Sequence, residues 1–361
     1  MAVERVISPA PEPLPLEERN WSLRPRTMRD YVGQPDLIEK LAITIAAVKA
    51  RGEAMEHVLL HGPPGLGKTT LAHVIAEEMG SRVHVTSGPA LTRPTDLVEV
   101  LTRLSERDVL FIDEIHRLPV AVEEFIYPAM EDFRIDVKVE SGLNARTVQI
   151  PLKPFALIGA TTRAGQVSSP LRSRFGISHN LRYYDAAELL TILRRSCSLL
   201  SVIADDLAPG TKASGALAMI ASRSRGTPRI ANRLLRRVRD YAQVKGDGSL
   251  TARMVKEALD LEGVDDAGLD ELDRSYLRVI AKVYGGGPVG LEAVAATLNQ
   301  DAGTLEDVVE PFLLQKGFVA RTRRGRELTL DGATHVGMPH CAPIRSASDA
   351  GEAGDTALFG R

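Results

Sequence analysis

One octapeptide narrows the fold of this 361-residue chain more than any other feature: Gly62-Pro63-Pro64-Gly65-Leu66-Gly67-Lys68-Thr69, which fits the pattern GxxxxGK[ST]. The apolar run His57 to His61 (HVLLH) leads into it and the helix-patterned stretch TTLAHVIAEEM leads out. A strand, a glycine-rich turn and a helix in that order form a cradle for phosphate. The glycines permit backbone conformations that turn successive N–H groups inward, and the helix adds the positive end of its dipole. Lys68 is then expected to reach the β- and γ-phosphates of ATP, and the Thr69 hydroxyl to ligate Mg2+. A glycine turn that binds nothing has no need of Lys-Thr at that spacing.

Further apolar runs at Val83 to Val85, Val109 to Ile112 and Phe155 to Ile158 alternate with helical patterns such as Leu71 to Met79. That alternation predicts an α/β fold, a parallel sheet covered by helices, over residues 21–184. Over 185–262 the strand signal gives way to helical stretches, Glu188 to Leu200 and Pro228 to Val244, which predict a small all-α domain. Residues 263–335 carry two helical patterns, a turn and the hairpin-like FVARTRRGRELTL, the makings of a winged helix. Residues 1–20, with SPAPEPLP, read as a flexible arm, and 336–361 as a disordered tail.

A composition of 44% hydrophobic and 25% charged residues excludes a collagen-like or wholly disordered chain. No stretch approaches the roughly 20 apolar residues that cross a bilayer, and the start lacks a signal-peptide pattern, so a cytoplasmic place with no membrane partner is expected. Cys197 and Cys341 stand far apart without a CxxC, which excludes a disulfide framework. The histidines include no HExxH, and no zinc is expected.

The second strand, in VLFIDEIHRL, delivers Asp113 and Glu114 to the carboxyl edge of the sheet, where ligands bind. Asp113 suits Mg2+ and Glu114 suits polarising the attacking water, the division of labour of a hydrolase. His116 reads as a packing or hydrogen-bonding residue near that edge rather than a base. The strand in FALIGATTRAG ends in Thr161-Thr162, which places Thr161 to sense phosphate state. Arginines recur in Pro170-Leu171-Arg172-Ser173-Arg174-Phe175-Gly176 and in Gly226-Thr227-Pro228-Arg229, where Pro228 can start a helix with Arg229 in its first turn. Such arginines suit transition-state charge because they stay protonated and offer forked donors.

Taken together, the strings RPRTMRDYVGQ, HGPPGLGKTTLAHVIAEEMG, VLFIDEIHRL, YPAMEDFRIDV, LIGATTRAG, PLRSRFG, RGTPRIANRLLRRVRDYA and GGPVGLEAVA resemble the AAA+ class of ATPases. Within it, residues 20 to 330 resemble the RuvB family of Holliday-junction branch-migration motors. The resemblance implies an ATP hydrolase, a homohexameric ring that drives double-stranded DNA at Holliday junctions together with RuvA and hands junctions to the resolvase RuvC. It implies Leu23 and Arg24 on the adenine side, and Gly65, Gly67, Lys68, Thr69 and Thr70 at the phosphates. It places Glu131, Asp132 and Phe133 in the nucleotide neighbourhood, and Tyr184 and the sensor-2 Arg229 at the junction of large and small domains. Arg174 becomes the arginine finger offered to the next subunit's ATP. Residues 134–150 alternate like a hairpin around Ser141-Gly142 and match the family's element for RuvA. Ser173 departs from the aspartate common beside the finger, and the stretch 202–222 is longer than the family norm.

The C-terminal end is not a generic DNA binder. Between Gly263 and Asp331 eight Lys or Arg face twelve Asp or Glu, yet Lys316, Arg321, Arg323, Arg324 and Arg326 fall close together. On a hairpin wing they would grip phosphates without reading bases, and the resemblance points to Arg321 and Arg326. A clamp-loader-like ATPase and an ATP-switched transcriptional regulator share much of this residue set. The former calls for a collar domain and the latter for sequence-specific DNA binding.

Overall fold

In the computed structural model, which describes residues 23–138, 147–205 and 215–342, the chain forms two units. One runs up to Val202 and includes Thr227–Asn232, and the other comprises Ile203–Gly226 and the residues from Arg233 onward. The first contains α1 (Pro35–Arg51), β1 (Val58–His61), α2 (Lys68–Met79), β2 (Val83–Ser87), α3 (Pro94–Thr102), β3 (Val109–Asp113) and α4 (Val120–Glu131). It continues with β4 (Arg134–Lys138), β5 (Thr147–Pro151), β6 (Ala156–Thr161), α5 (Ser169–Arg172), β7 (Ile177–Asn180) and α6 (Ala186–Leu199).

Five strands form one parallel sheet in the order β2-β3-β6-β1-β7. The inner strands are the continuous apolar runs expected of a sheet covered on both faces, with Leu110, Phe111, Ile112, Leu157 and Ile158 fully buried. Leu97, Leu101, Val122 and Ile126 of the covering helices pack on one face. β7 is absent from the sequence reading because Ile177-Ser178-His179-Asn180 is an edge strand, half-exposed and mostly polar. The order has one large consequence. His61 lies level with Thr161, and Ile112 with Gly159, so the carboxyl ends of β1, β6 and β3 stand side by side on one edge. β4 and β5 pair antiparallel as a separate hairpin; the turn expected at Ser141-Gly142 lies outside the described residues.

The second unit contains α7 (Ala216–Ser222), most of α8 (Pro228–Lys245), α9 (Ala252–Leu261), α10 (Glu271–Tyr284) and α11 (Leu291–Leu298). A helix then runs as α12 (Ala302–Thr304), a π-turn (Leu305–Val309) and α13 (Glu310–Gln315), before β8 (Val319–Thr322), β9 (Gly325–Leu328) and α14 (Leu330–His335). Pro311 explains the widened turn, since its ring offers no N–H and collides with the carbonyl four residues back. Tyr276, Leu277, Ile280, Val294, Phe312, Leu313, Val319 and Leu328 build the winged-helix core.

By its contacts α6 lies with the sheet unit, where Arg195 donates to the Arg24 carbonyl at 2.9 Å. In the other unit Arg223 pairs with Asp266, and Arg225 with Asp270 and Asp273. The winged-helix core also extends past 335, because Val336, Met338, Cys341 and Ala342 pack against it. The arm 1–20 lies outside the described residues, as do residues 343–361 of the tail. Among the described residues no helix is long and apolar enough to cross a membrane.

Candidate functional site

The phosphate loop leaves the sheet beside β6, where the Gly62 N–H donates to the Thr161 carbonyl at 3.2 Å. Gly65 and Gly67 take left-handed φ of 82° and 96°. At Gly65 a Cβ would come within 3.1 Å of the Arg229 Cβ, so the bare backbone is what lets the start of α8 approach. α2 begins at Lys68 with no side-chain cap on its first turn, which leaves its N-terminal dipole end open to the loop.

Three cations gather here. The Lys68 ammonium donates to the carbonyls of Gly62 (2.7 Å) and Pro63 (2.9 Å). Burial lowers its pKa, and Asp113 and Glu114 counteract that. The Arg229 N–H donates to the Gly65 carbonyl at 3.4 Å. Burial, and then repulsion from Arg229, lower the pKa of Arg24. Like charges brought together around open N–H groups define an anion site. Leu23, next to Arg24 in the chain, is buried. The Tyr184 hydroxyl lies 3.3 Å from both the Leu66 carbonyl and the Tyr31 hydroxyl. A Cβ on Gly33 would strike the Tyr184 ring at 2.5 Å. Tyr31 and Gly33 thus seat Tyr184, a role invisible in the sequence because about 150 residues separate the partners.

The acidic half of the site sits at the ends of β3 and β6. Burial pushes the Asp113 carboxyl up, while the Glu114 N–H donates to it at 3.0 Å and Lys68 and Arg229 pull it down. Glu114 turns the chain with φ of 47°. The sequence reading chose Thr161 as the sensing hydroxyl, and the two threonines at the end of β6 have different partners. Thr161 is fully buried and its hydroxyl meets His116 Nδ1 at 2.8 Å, whereas Thr162 donates its hydroxyl to Glu114 Oε2 at 3.3 Å.

Arg174 and Glu131 to Phe133 are not with the phosphate loop of their own chain. Arg174 lies 3.1 Å from Glu131, donates to the Pro170 carbonyl at 2.7 Å and stacks 4.1 Å over the Tyr127 ring. Phe133 packs edge-on against His57 and Phe155. These residues stand at the amino ends of β1, β6 and β7, with β1 between them and the loop. The Asp132 carboxylate pairs with Arg134. Ser173 bonds the Pro170 carbonyl at 3.0 Å, a local contact in the turn that carries Arg174.

On the wing, two of the arginines share a carboxylate. Arg321 and Arg326 face each other across β8 and β9, and both bond the fully buried Glu310: Arg321 Nε to Oε2 at 2.8 Å and Arg326 Nε to Oε1 at 2.8 Å. The Tyr276 hydroxyl donates to the same carboxylate. These bonds hold the Glu310 carboxyl below its ordinary range against the upward push of burial. The Arg326 side chain is only 19% exposed. The Arg321 side chain is 42% exposed, and Arg323 and Arg324 at the turn are exposed as well.

A parallel five-stranded sheet with a phosphate loop, a carboxylate pair at a neighbouring strand end and an arginine at the start of a following helix define a P-loop ATPase of the AAA+ class. Family models match along almost the whole described chain: the Holliday junction DNA helicase RuvB P-loop domain over 23–181, the RuvB AAA lid domain over 184–265 and the RuvB C-terminal winged helix domain over 266–337. The chain belongs to the RuvB family. It is 54% identical over 319 residues to the Holliday junction branch migration complex subunit RuvB of Myxococcus xanthus, covering 88% of this chain and 90% of that protein. It is 53% identical over 334 residues to a subunit RuvB 2 of a Synechococcus species, covering 92% and 88%. The solved Thermotoga maritima RuvB Holliday junction branch migration motor superimposes with a TM-score of 0.77 at 48% identity, covering 88% of this chain and 99% of that one.

Proposed function

We propose that this chain is an ATP-driven motor of Holliday junction branch migration, which translocates double-stranded DNA as a homohexameric ring together with RuvA and passes junctions to RuvC in the cytoplasm. The observation that carries the reading is the single sheet edge on which the phosphate loop, Asp113, Glu114 and Thr162 meet, in a chain that ends in a basic wing.

Thr69 and Asp113 offer a hydroxyl and a carboxylate, the hard oxygen donors Mg2+ takes. A cation there also relieves the burial that pushes the Asp113 carboxyl up. When bound, the ion neutralises charge on the phosphate oxygens. Lys68 exchanges the Gly62 and Pro63 carbonyls for phosphate oxygens. Leu23, Arg24 and Tyr184 close around the nucleoside end, and Arg229 adds positive charge beside Gly65. Glu114 takes a proton from the attacking water.

Arg174, Glu131, Asp132 and Phe133 meet ATP only when a second copy brings its phosphate loop to the opposite edge, which is the physical case for a ring. Arg174 then adds its charge to the neighbour's transferring phosphate. The separate hairpin of β4 and β5, with Val148 exposed, is the docking element for RuvA.

The test is strand separation of a synthetic four-way junction with ATP and Mg2+, with and without RuvA. Wild type moves the junction and RuvA stimulates it. Glu114→Gln is expected to bind ATP yet lose about 1,000-fold in turnover. Hydrolysis without junction movement would leave the ATPase site standing and overturn the motor.

A further inference from the structure

We infer that His116 is a positioning residue for the general base, a role that rests on the reading of Glu114 given above. Its side chain is 6% exposed, and its Nδ1 stands 3.2 Å from Glu114 Oε2 and 2.8 Å from Thr161 Oγ1. A carboxylate oxygen only accepts hydrogen bonds, so the form of the ring that serves Glu114 is the one with a proton on Nδ1. The Thr161 oxygen also takes the Arg163 N–H at 3.0 Å, which fixes it from the β6 side.

The two oxygens of Glu114 thereby become unequal. Oε2 accepts from the Thr162 hydroxyl at 3.3 Å and has His116 Nδ1 at 3.2 Å. That leaves Oε1 as the oxygen that orients the water and accepts its proton. A carboxylate on a left-handed residue at the end of a strand has several rotamers open to it. Fixing one oxygen selects among them, which is how a base is kept within reach of its water. His116 also ties that oxygen to the end of β6, so movement of Thr161 reaches Glu114 through one imidazole.

The experiment is steady-state ATP hydrolysis by the full chain with DNA, and nucleotide affinity by titration, for His116→Ala, His116→Asn, His116→Gln and Glu114→Gln. An asparagine places an N–H close to where Nδ1 stands, and a glutamine places its N–H one bond further out. His116→Ala and His116→Gln are expected to lose roughly 10- to 100-fold in kcat, a part of the 100-fold or more that general-base catalysis supplies. KM and ATP affinity should stay within about twofold, and His116→Asn should recover most of kcat. Equal activity in Asn and Gln variants, or wild-type kcat in the Ala variant, overturns the proposal. If His116→Ala does not melt cooperatively, the Asn against Gln contrast decides alone. Should Glu114→Gln itself keep wild-type turnover, the base reading fails, a result distinct from a silent His116.

Discussion

The phosphate loop and the wing both collect positive charge, and they treat it in opposite ways. Around the loop, Lys68 is held by backbone carbonyls, and Arg24 and Arg229 repel one another. At the wing, Arg321 and Arg326 converge on one buried carboxylate, Glu310, capped by Tyr276. A cation resting on weak acceptors stays available to a phosphate. One bonded to a buried carboxylate is already neutralised, and its loss leaves a buried charge unpaired. Basic residues that look alike in the sequence therefore differ in what already neutralises them.

The largest effect should come from the shape-holding side. Glu310→Ala is expected to cost about 3 to 5 kcal/mol of stability, as removal of one partner from a buried ionic cluster does. Chemical denaturation measures it. ATP affinity of the folded protein should be unchanged, and a stable Glu310→Ala variant would break the contrast outright. Lys68→Ala should do the reverse, weakening ATP binding by roughly 10- to 100-fold, the worth of hydrogen bonds to a charged group, with the melting temperature unmoved.

A third cation set sharpens the comparison. Arg225 bonds Asp270 and Asp273, and burial pushes the Asp273 carboxyl from its ordinary 3.8 up to about 7. The folded protein holds that proton more tightly than the unfolded chain. The associated stability is present in full below pH 3.8 and is lost as pH rises through about 7. Calorimetry should show wild type losing up to about 1 kcal/mol per pH unit between pH 5 and 7 relative to Asp273→Asn, which cannot ionise. A gap that stays constant with pH would remove this group from the account.

The smallest effect belongs to the exposed turn. Arg323→Ala and Arg324→Ala should each weaken DNA binding only a few-fold and reduce the salt dependence by about one counterion. Arg326→Ala should lower thermal stability more than it lowers DNA affinity. If Arg326→Ala lost DNA binding at full stability, the wing arginines would need to be read as ligand contacts after all.

Much of this is legible in the sequence. The loop from Gly62 to Thr69, the carboxylates after β3 and the apolar runs of the inner strands are contiguous in the chain. Short-range backbone geometry and two-sided burial leave their marks there directly. β7 escaped because a four-residue edge strand buries too little to show a pattern. The pairing of Glu114 with Thr162 escaped because it joins the ends of two strands that lie 48 positions apart in the chain.

Sequence alone determined that a phosphate cradle, a hydrolytic carboxylate pair and a basic hairpin exist in this chain, since each is a run of neighbouring residues. Tertiary structure decided which of those side chains meet. His116 reaches Thr161 across 45 positions, and Arg321 and Arg326 reach back 11 and 16 to Glu310. Arg174 is turned to the edge away from its own phosphate loop by the position of β7 beside β1. The physical reason is the same in each case: contact energies depend on distance in space, and strand order and helix packing set that distance.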